Sequence, residues 1–398
     1  MNSTFYEFIN NSGLRELMDC TRKRVVIFGS WRKLPEDDRN NILIMAFESL
    51  GWHLLYCMLN SGTAHKSSKP IPKLLIALIF APFRWICLTA KYFFLPPHQI
   101  IYVPFPPYID AWLACLLARL NRRRIIIDAF MGLYDTIVRD RRLIGKKSIF
   151  ARLIWWYEKI ILQSIDIALV DTIEHELMLQ QDFKPLKSKI DHIPVGVDEK
   201  LWQPSPYPAD TELFNVLFWA TFIPLHGVEV VAQAAKMLEK DSPQIYFTII
   251  GNGQLGEEFR DLLKKLKPKN INWIDRFLPL SEIEKLVKKS HCCLGVFGTQ
   301  NKTQRVIPYK VSQALAAGRP IITARTSAVE QILTDNIDSV LVRCGDPDDL
   351  SGAIKRISDD RKFALKIGKN GRRLYESKLS NRIIKNRLEH ILESLELT

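Results

Sequence analysis

The sequence predicts an α/β protein built from two doubly wound, Rossmann-like domains in tandem. Short β-branched apolar runs alternate with longer amphipathic runs, which is typical of a parallel sheet with helices on its faces. The strand candidates are apolar almost throughout, as strands buried on both faces should be. The alternation stops at a proline-rich segment and then restarts, and a length of 398 residues suits two or three domains.

Each half of the chain supplies its own set of strand candidates. Those of the first half are Arg24–Phe28, Gln99–Phe105, Arg124–Asp128, Ile167–Asp171 and Ile190–Val195. Those of the second half are Asn215–Trp219, Tyr246–Gly251, Ile271–Asp275, Cys292–Phe297, Pro320–Thr323 and Ser339–Val342. Amphipathic runs such as Val228–Glu239 lie between them and predict the intervening helices.

The domain boundaries follow from the segment between the two sets. Gly196–Asp210 has no periodicity and is rich in proline, which indicates a linker. We therefore predict a first domain over 1–196, a linker over 197–211, a second domain over 212–376, and a C-terminal helix over 377–398 that crosses back to the first domain. Ligands of such sheets bind beyond the carboxyl ends of the strands, so the expected site is the cleft between the domains.

The composition excludes several classes of protein and points to an anionic partner. A hydrophobic content of 47% with 25% charged residues is ordinary for a globular chain, not for a disordered, collagen-like or polytopic membrane protein. The formal charge is +13, which favours a nucleic acid, an acidic membrane or a phosphorylated ligand. The seven cysteines show no CxxC spacing, so we expect reduced thiols and no metal site.

One segment requires a membrane check. Leu74–Leu95 is apolar, but Pro82, Arg84 and Lys91 interrupt it, which favours a buried or interfacial helix over a membrane span. The N-terminal residues lack a signal-peptide pattern. We expect a cytoplasmic protein, with peripheral binding to the inner face of the plasma membrane as a further hypothesis.

The most informative stretch is Gly298–Thr323. Pro308 suits the first turn of a helix, which places Lys310 in that turn, with Lys302 and Arg305 just upstream. Cations are unfavourable beside the positive end of a helix dipole unless an anion lies among them. Amide N–H groups with lysine and arginine predict a diphosphate site, and the alternative is a solvated basic loop.

A second candidate loop follows the first strand of the second domain. His226 and Gly227 lie in Ala220–Gly227, where a doubly wound domain faces its ligand, and His226 is equally compatible with an ordinary surface or core position. Gly251 opens the Gly251–Gly253 turn after the next strand, which allows the backbone to approach a ligand closely.

The first domain offers weaker signals on its acceptor side. Gly29, Ser30 and Arg32 form its equivalent loop, and the absence of GxGxxG disfavours dinucleotide binding. Asp128 and Asp135 follow a strand, where carboxylates orient hydroxyl groups or act as bases, although capping and ion pairing are about as plausible. His175 also follows a strand end, and the sequence does not separate a capping from a cleft-lining role. Asp140 and Arg141 follow in the same loop, and for these two residues we expect surface ion pairing rather than a role in the cleft.

Arg139–Lys159 mixes seven basic residues with aromatic ones, and Arg122–Arg124 adds to them. This composition predicts a patch for anionic lipid headgroups, and a core-packing helix with a basic face is the alternative. Single-stranded nucleic acid is a further possibility, but no RNP-like strand, zinc finger or helix-turn-helix pattern accompanies it.

The second half of the chain contains an ordered set of motifs. They are HIPVGVDEKLWQP, ATFIPLHGVEVVAQAAKML, IIGNGQL, LPLSEIEKLVKKSHCCLGVF, IPYKVSQALAAGRPIIT, AVEQIL and CGDPDDLSGAI. In this order they resemble the family-four retaining glycosyltransferases of GT-B fold, specifically over Ile190–Glu376 and more loosely over the first half. Several ordered motifs are far more specific than any one of them.

The resemblance implies roles for individual residues. Thr221 and His226 lie where many members have the arginine and lysine that hold the donor diphosphate, and Gln313 lies where many have a ribose-binding glutamate. Arg305 replaces the other glutamate of that motif, and the basic residues near Lys310 match a branch with an IPxK stretch. Glu330 matches a glutamate that lines the donor pocket or caps a helix.

The resemblance also implies a function. It is retaining transfer of a sugar from a UDP- or GDP-linked donor to a saccharide or lipid-linked acceptor in cell-surface glycan synthesis, with no cofactor and no obligatory metal. Lys310 and Arg305 would stabilise the leaving diphosphate, and Asp128 and Asp135 are the other two catalytic candidates. Two alternatives remain, a non-catalytic sugar-nucleotide or polysaccharide-binding relative and a basic nucleic-acid-binding protein.

Overall fold

The computed structural model describes residues 23–30, 38–59, 81–209 and 212–396. Two parallel six-stranded sheets, one in each half of the chain, form its framework. The strands are β1 (Arg24–Gly29), β2 (His53–Met58), β3 (Ile100–Val103), β4 (Arg124–Asp128), β5 (Ile167–Val170), β6 (Lys189–His192), β7 (Phe214–Trp219), β8 (Ile245–Ile250), β9 (Ile271–Ile274), β10 (Cys292–Leu294), β11 (Ile321–Ala324) and β12 (Val340–Val342).

Helices connect the strands and cover both sheets. They are α1 (Asp38–Ser49), α2 (Ala81–Phe93), α3 (Ala111–Leu120), α4 (Ile149–Ser164), α5 (Ile173–Asp182), α6 (Val228–Asp241), α7 (Gly256–Leu266), α8 (Leu280–Lys289), α9 (Tyr309–Ala316), α10 (Ser327–Glu330), α11 (Pro347–Asp359), α12 (Arg361–Leu374) and α13 (Asn381–Glu396). The predicted α/β class with two doubly wound domains is confirmed.

The strand orders locate the ligand side of each domain. The first sheet has the order β2-β1-β3-β4-β5-β6, and the second has β12-β11-β10-β7-β8-β9. Each order reverses direction once, between β1 and β3 in the first sheet and between β7 and β10 in the second. Ligands of doubly wound sheets bind at this switch point, beyond the carboxyl ends of the strands. The loops that follow β1 and β7 therefore border the expected site.

All predicted strands are present, with ends that differ by up to three residues, and one strand was missed. The missed strand, β2, lies at the edge of the first sheet, and Tyr56 within it is exposed. The β2 sequence, HLLYCM, is apolar but contains no β-branched residue, so it lacks the β-branched composition from which the other strands were predicted. Asp346 caps the start of α11 by accepting a hydrogen bond from the Asp349 N–H, and Gly318, which follows α9, adopts a positive φ.

The two faces of the first sheet are covered by helices from different parts of the chain. Helices α2, α3, α4 and α5 pack on one face. The other face is covered by α1 together with α13, whose Ile384, Leu388 and Ile391 are buried there. Arg387 of α13 also donates to the His192 carbonyl and to Asp191. Residues 381–396 therefore pack on the first domain, although they follow the second in sequence.

The apolar segment considered as a membrane span is only partly described. Residues 74–80 lie outside the described residues, and α2 covers most of the remainder. Within the described ranges, no helix has both the length and the apolar character needed to cross a membrane.

Candidate functional site

The loop after β7 and the segment after β10 form one structure at the switch point of the second sheet. The Phe297 N–H donates to the His226 carbonyl, and the Gly298 N–H donates to the Leu225 carbonyl, both at 3.2 Å. Gly227 has a φ of +62°, and a Cβ there would lie 2.7 Å from the Gly298 nitrogen. Close packing between the two segments thus requires glycine at position 227.

Lys310 is buried in the first turn of α9, and its side chain is only 4% exposed. Its Nζ lies 4.2 Å from the centre of the Phe218 ring and has no hydrogen-bond partner among the described residues. Burial lowers the pKa of this ammonium group well below 10.5. A buried cation that has no carboxylate partner in the described part of the chain, and that lies at the N-terminus of a helix, is suited to receive an anion.

The surroundings of His226, which include the charges of Lys310 and Arg141, favour the neutral form of its imidazole. Burial lowers the pKa of its imidazole well below 6.5, and the charges of Lys310 and Arg141 lower it further. Its Nδ1 donates to the Thr221 carbonyl, which can only accept. The neutral ring therefore presents Nε2 as an acceptor, which suits a ligand hydroxyl better than a phosphate oxygen.

The remaining predicted donor-side residues occupy different environments. Gln313 is buried, and its Oε1 accepts from Trp219 Nε1 at 3.2 Å. A Cβ on Gly251 would lie 1.9 Å from the Ala220 carbonyl oxygen, so glycine is required there. Thr221 is exposed. Glu330 forms an exposed ion pair with Arg325, which explains it without a role in the donor pocket.

Lys302 and Arg305 were predicted to hold phosphates, but they have carboxylate partners on the first domain. Arg305 Nη2 lies 2.7 Å from Asp135, and Lys302 Nζ lies 3.4 Å from Asp140. Lys302 also donates to Thr136 Oγ1. We call these ion pairs the clasp. The clasp neutralises much of the positive charge of Lys302 and Arg305 that was predicted to bind the diphosphate. Lys310 is therefore the stronger candidate for binding it.

Breaking the clasp is expected to separate the domains. Replacing Asp135 by alanine leaves Arg305 and the buried Lys302 with less compensating charge, a change that costs about 3 kcal/mol at buried pairs. Small-angle scattering should then report a larger radius of gyration than for the wild type. Asp261→Ala, which breaks an exposed pair with Lys264, is the control and should leave the radius unchanged. An unchanged radius in Asp135→Ala would show that other contacts hold the domains together.

The first-domain loop is held by a buried carboxylate. The Ser30 N–H donates to Asp110 at 2.8 Å, and Arg84 pairs with the same carboxylate at 2.9 Å. Gly29 has a φ of +122°, and a Cβ there would lie 3.2 Å from Asp110 Oδ2. Arg32, also predicted on this side, lies outside the described residues.

For Asp128 and His175 the sequence left a cleft-facing role and a structural role open, and both side chains form hydrogen-bonded pairs inside the protein. Asp128 is fully buried and accepts from Arg39 Nε at 2.8 Å, so its carboxylate serves a structural ion pair. His175 is 2% exposed, and its Nδ1 hydrogen-bonds Asp171. The strand ends lie at the edge of the cleft, but the side chains of Asp128 and His175 point into the protein. Their partners, Arg39 and Asp171, offset the cost of burying a charge there.

A cavity of about 330 Å³ lies beside the clasp, between the domains. Its lining is strongly cationic, with Arg139, Arg142 and Lys146 from the first domain in addition to the clasp residues. Arg139 is paired with Asp182, whereas Arg142 and Lys146 are exposed. Excess positive charge in a cleft favours a ligand that carries phosphate or carboxylate groups.

Sequence reasoning missed several residues that shape the site. Tyr309 contacts Phe130 across the cleft, with 6.0 Å between ring centres. Arg84 carried a usable signal, because an arginine within an apolar run needs a buried partner, which proved to be Asp110. The partner itself could not be inferred from local sequence.

Comparisons with known proteins bear on the family and the fold of the chain. Residues 203–374 match the family described as glycosyl transferases group 1. Amylovoran biosynthesis glycosyltransferase AmsK of Erwinia amylovora is 21% identical over 208 residues, which cover 52% of this chain and 51% of AmsK. The chain spans about half the length, or less, of the curated relatives it matches.

Solved structures share the fold over nearly the whole chain. Sucrose-phosphate synthase of Thermosynechococcus elongatus superposes with a TM-score of 0.70 at 16% identity, covering 94% of this chain and all of that one. Anabaena Alr3699/HepE in complex with UDP-glucose gives 0.65 at 11% identity, covering 93% and 99%. These solved structures show that the chain has the two-domain GT-B fold. The match to the glycosyl transferases group 1 family covers residues 203–374, in the second domain.

Proposed function

We propose that this protein transfers a sugar from a UDP- or GDP-linked donor to a saccharide or lipid-linked acceptor in cell-surface glycan synthesis, with retention of anomeric configuration. The ammonium of Lys310, which is buried and has no hydrogen-bond partner among the residues that the structure describes, carries the proposal. A native protein tolerates such a group where a ligand completes its interactions. The position of Lys310, at the switch point of the second sheet and in the first turn of α9, suits a diphosphate.

The chemistry follows from where charge develops during transfer. As the bond between the anomeric carbon and the leaving oxygen breaks, negative charge grows on the β-phosphate. Lys310 and the N–H groups of α9 would stabilise that charge, and preorganised donors of this kind act without reorganising. A protein cation in this place supports the proposal that no obligatory metal is needed.

His226 has a separate part in the proposed reaction. Its neutral Nε2 would accept a hydrogen bond from a hydroxyl of the donor sugar and so position the anomeric carbon. Gln313, next to Trp219, would contact the nucleotide ribose. The clasp would favour the closed arrangement of the domains, which excludes water and limits hydrolysis of the donor.

Nucleotide-dependent thermal stabilisation tests the donor class. A ligand at a hundred times its dissociation constant adds about 2.7 kcal/mol to the free energy of unfolding, which is a clear shift in melting temperature. We expect UDP or GDP to give this shift, and ADP, CMP and NAD to give none. Stabilisation by NAD alone would contradict the proposal. Stabilisation by an oligonucleotide alone, with a steep salt dependence, would also contradict it and would favour a nucleic-acid-binding protein.

Retention is tested separately from binding. The donor sugar that stabilises the protein is incubated without acceptor, and the first free sugar released is observed by proton NMR before it mutarotates. We expect the anomer of the donor. Release of the opposite anomer would contradict retention, and binding without any turnover, in the presence of candidate acceptors as well, would favour the non-catalytic relative.

A further inference from the structure

Three neighbouring helices of the first domain expose an unusual amount of apolar surface. Helices α2, α3 and α4 pack on the same face of the first sheet, and Trp85 of α2 stacks on Trp112 of α3 with 5.5 Å between ring centres. These three helices and Phe94, which directly follows α2, carry most of the exposed large hydrophobic side chains among the described residues. These are Phe83, Ile86, Phe93, Phe94, Trp112, Leu116, Leu120, Ile149, Phe150, Leu153, Trp156 and Ile160.

The arrangement on α4 is periodic. Ile149, Leu153, Trp156 and Ile160 recur at helical spacing and are 47–60% exposed. The opposite face of the same helix is buried in the domain core. Helix α4 therefore has two apolar faces, one covered by its own domain and one open. On α3, Trp112, Leu116 and Leu120 form a second exposed row. We call the surface formed by these exposed residues of α2, α3 and α4 the outer face.

The charge of the outer face has a single sign. The sequence has no aspartate or glutamate between Ser49 and Ile109, and Asp110, the only one before Asp128, is buried in its pair with Arg84. Glu158, the only acidic residue between Asp140 and Asp166, is also buried. Exposed basic residues border the apolar rows, namely Lys91, Arg119, Arg122, Arg142, Lys146, Lys147 and Arg152.

This combination discriminates among occupants. A second copy meeting the same face would bring cations against cations, which opposes a symmetric dimer. The segment 60–80, which precedes α2, also lacks acidic residues and contains Lys66, Lys69 and Lys73, so it offers no countercharge. Aromatic and aliphatic side chains surrounded by lysine and arginine match a bilayer with anionic headgroups, where the apolar groups enter the boundary and the cations remain with the phosphates.

We propose that the outer face docks the protein on an anionic lipid bilayer. The first domain is then the membrane-bound part, and the apolar rows of α3 and α4 lie at the headgroup boundary. Docking needs no spanning helix, since several partly inserted side chains and several cations act together.

The position of the outer face relative to the cleft gives the docking a consequence. Lys146, which lines the cleft cavity, is two residues before Ser148, the N-cap of α4. The exposed row of α4 thus begins beside the mouth of the cationic cavity. If the protein transfers a sugar to a lipid-linked acceptor, as proposed above, the lipid of that acceptor would remain in the bilayer. A phosphate of the acceptor would then lie between Arg142 and Lys146. This consequence rests on the proposed transfer, whereas the docking itself does not.

Flotation with vesicles tests docking independently of any activity. Wild-type protein is mixed with phosphatidylglycerol-rich or pure phosphatidylcholine vesicles at low salt, and the bound fraction is measured after centrifugation. We expect binding to the anionic vesicles, with a large loss at high salt. Phe150→Ser with Trp156→Ser should weaken binding about a hundredfold. Lys147→Glu with Arg152→Glu should abolish the preference for anionic lipid.

The controls separate docking from folding and from sugar transfer. Met237→Ser with Leu365→Ser removes apolar groups of similar exposure from the second domain and should leave flotation unchanged. Nucleotide-induced stabilisation of the outer-face variants should match the wild type, which excludes misfolding. The proposal would be overturned if the Phe150→Ser, Trp156→Ser double variant floated as well as the wild type, or if the wild type did not float. It would also be overturned if the wild type formed a dimer that the double variant did not form. Flotation without donor turnover would leave docking intact and contradict only the proposed function.

Discussion

Replacing Lys310 by methionine is expected to lower kcat/KM for the sugar donor by about a hundredfold or more and to abolish stabilisation by the nucleoside diphosphate. Methionine keeps the length and apolar contacts of the side chain, including those with Phe218, but removes the charge that would meet the β-phosphate. The loss of one preorganised donor costs about 2.7–4 kcal/mol of transition-state stabilisation in well-studied sites. Steady-state kinetics and thermal shift measure the two effects on the same preparation.

The same change is expected to make the unliganded protein more stable at neutral pH, by about 1 kcal/mol or more, because it removes a buried and unpaired cation. The pH dependence has a definite sign. Between the lowered pKa of Lys310 and 10.5, the unfolded chain binds a proton that the native chain lacks, so the wild-type free energy of unfolding rises with pH across that window. The methionine variant should lack this contribution.

A matched control distinguishes a site effect from a general effect of removing a lysine. Lys289→Met changes an exposed lysine at the end of α8 and should alter neither the kinetics nor the stability beyond about 0.5 kcal/mol. If Lys310→Met instead destabilised the protein while donor turnover persisted, Lys310 would be a structural residue and the proposed diphosphate site would be wrong.

Replacing Arg39 by alanine is expected to destabilise the protein by about 3–5 kcal/mol. Arg39 and Asp128 are both nearly inaccessible, and the change leaves the Asp128 carboxylate buried without this guanidinium. It also removes donors to the Val170 and Ile193 carbonyls, which lie at the carboxyl ends of neighbouring strands. Denaturant unfolding measures the loss, with Lys264→Ala at an exposed pair as the control.

The Arg39–Asp128 pair also tests whether Asp128 has a catalytic role. Replacing both residues with apolar ones of similar size, Arg39→Met with Asp128→Leu, should recover part of the stability lost in Arg39→Ala, because no charge then remains unpaired. If Asp128 is structural, the double variant should retain donor turnover whenever it folds. A folded double variant with no turnover would restore Asp128 to the candidate catalytic residues.

Local sequence predicted the framework because the central strands are covered on both faces, and continuous apolar runs are then unavoidable. It also placed Lys310 in the first turn of a helix, where a lysine conflicts with the helix dipole unless an anion is near. The same argument did not predict that Lys302 and Arg305 form ion pairs with the first domain. Their partners, Thr136 and Asp135, are 166 and 170 residues away in sequence, so the charges that satisfy them are not visible locally.

The acidic residues of the first domain show the limit most clearly. A carboxylate that follows a strand lies near the edge of the cleft. That position in the sequence does not determine the direction in which its side chain points. Asp128 turns inward because Arg39, on a helix 89 residues earlier, reaches it there. Asp135 turns outward to meet the second domain. Both outcomes depend on packing between elements that are distant in sequence, which no local pattern encodes.

The packing of α13 on the first sheet has a consequence for synthesis of the protein on the ribosome. Domains commonly fold in order as they emerge. Here one face of the first sheet lacks Ile384, Leu388 and Ile391 until α13 has been made. The bond from Arg387 to the His192 carbonyl joins residues 195 positions apart. The nascent first domain must therefore carry an uncovered apolar surface throughout synthesis of the second, and it becomes a natural binding site for chaperones during that interval.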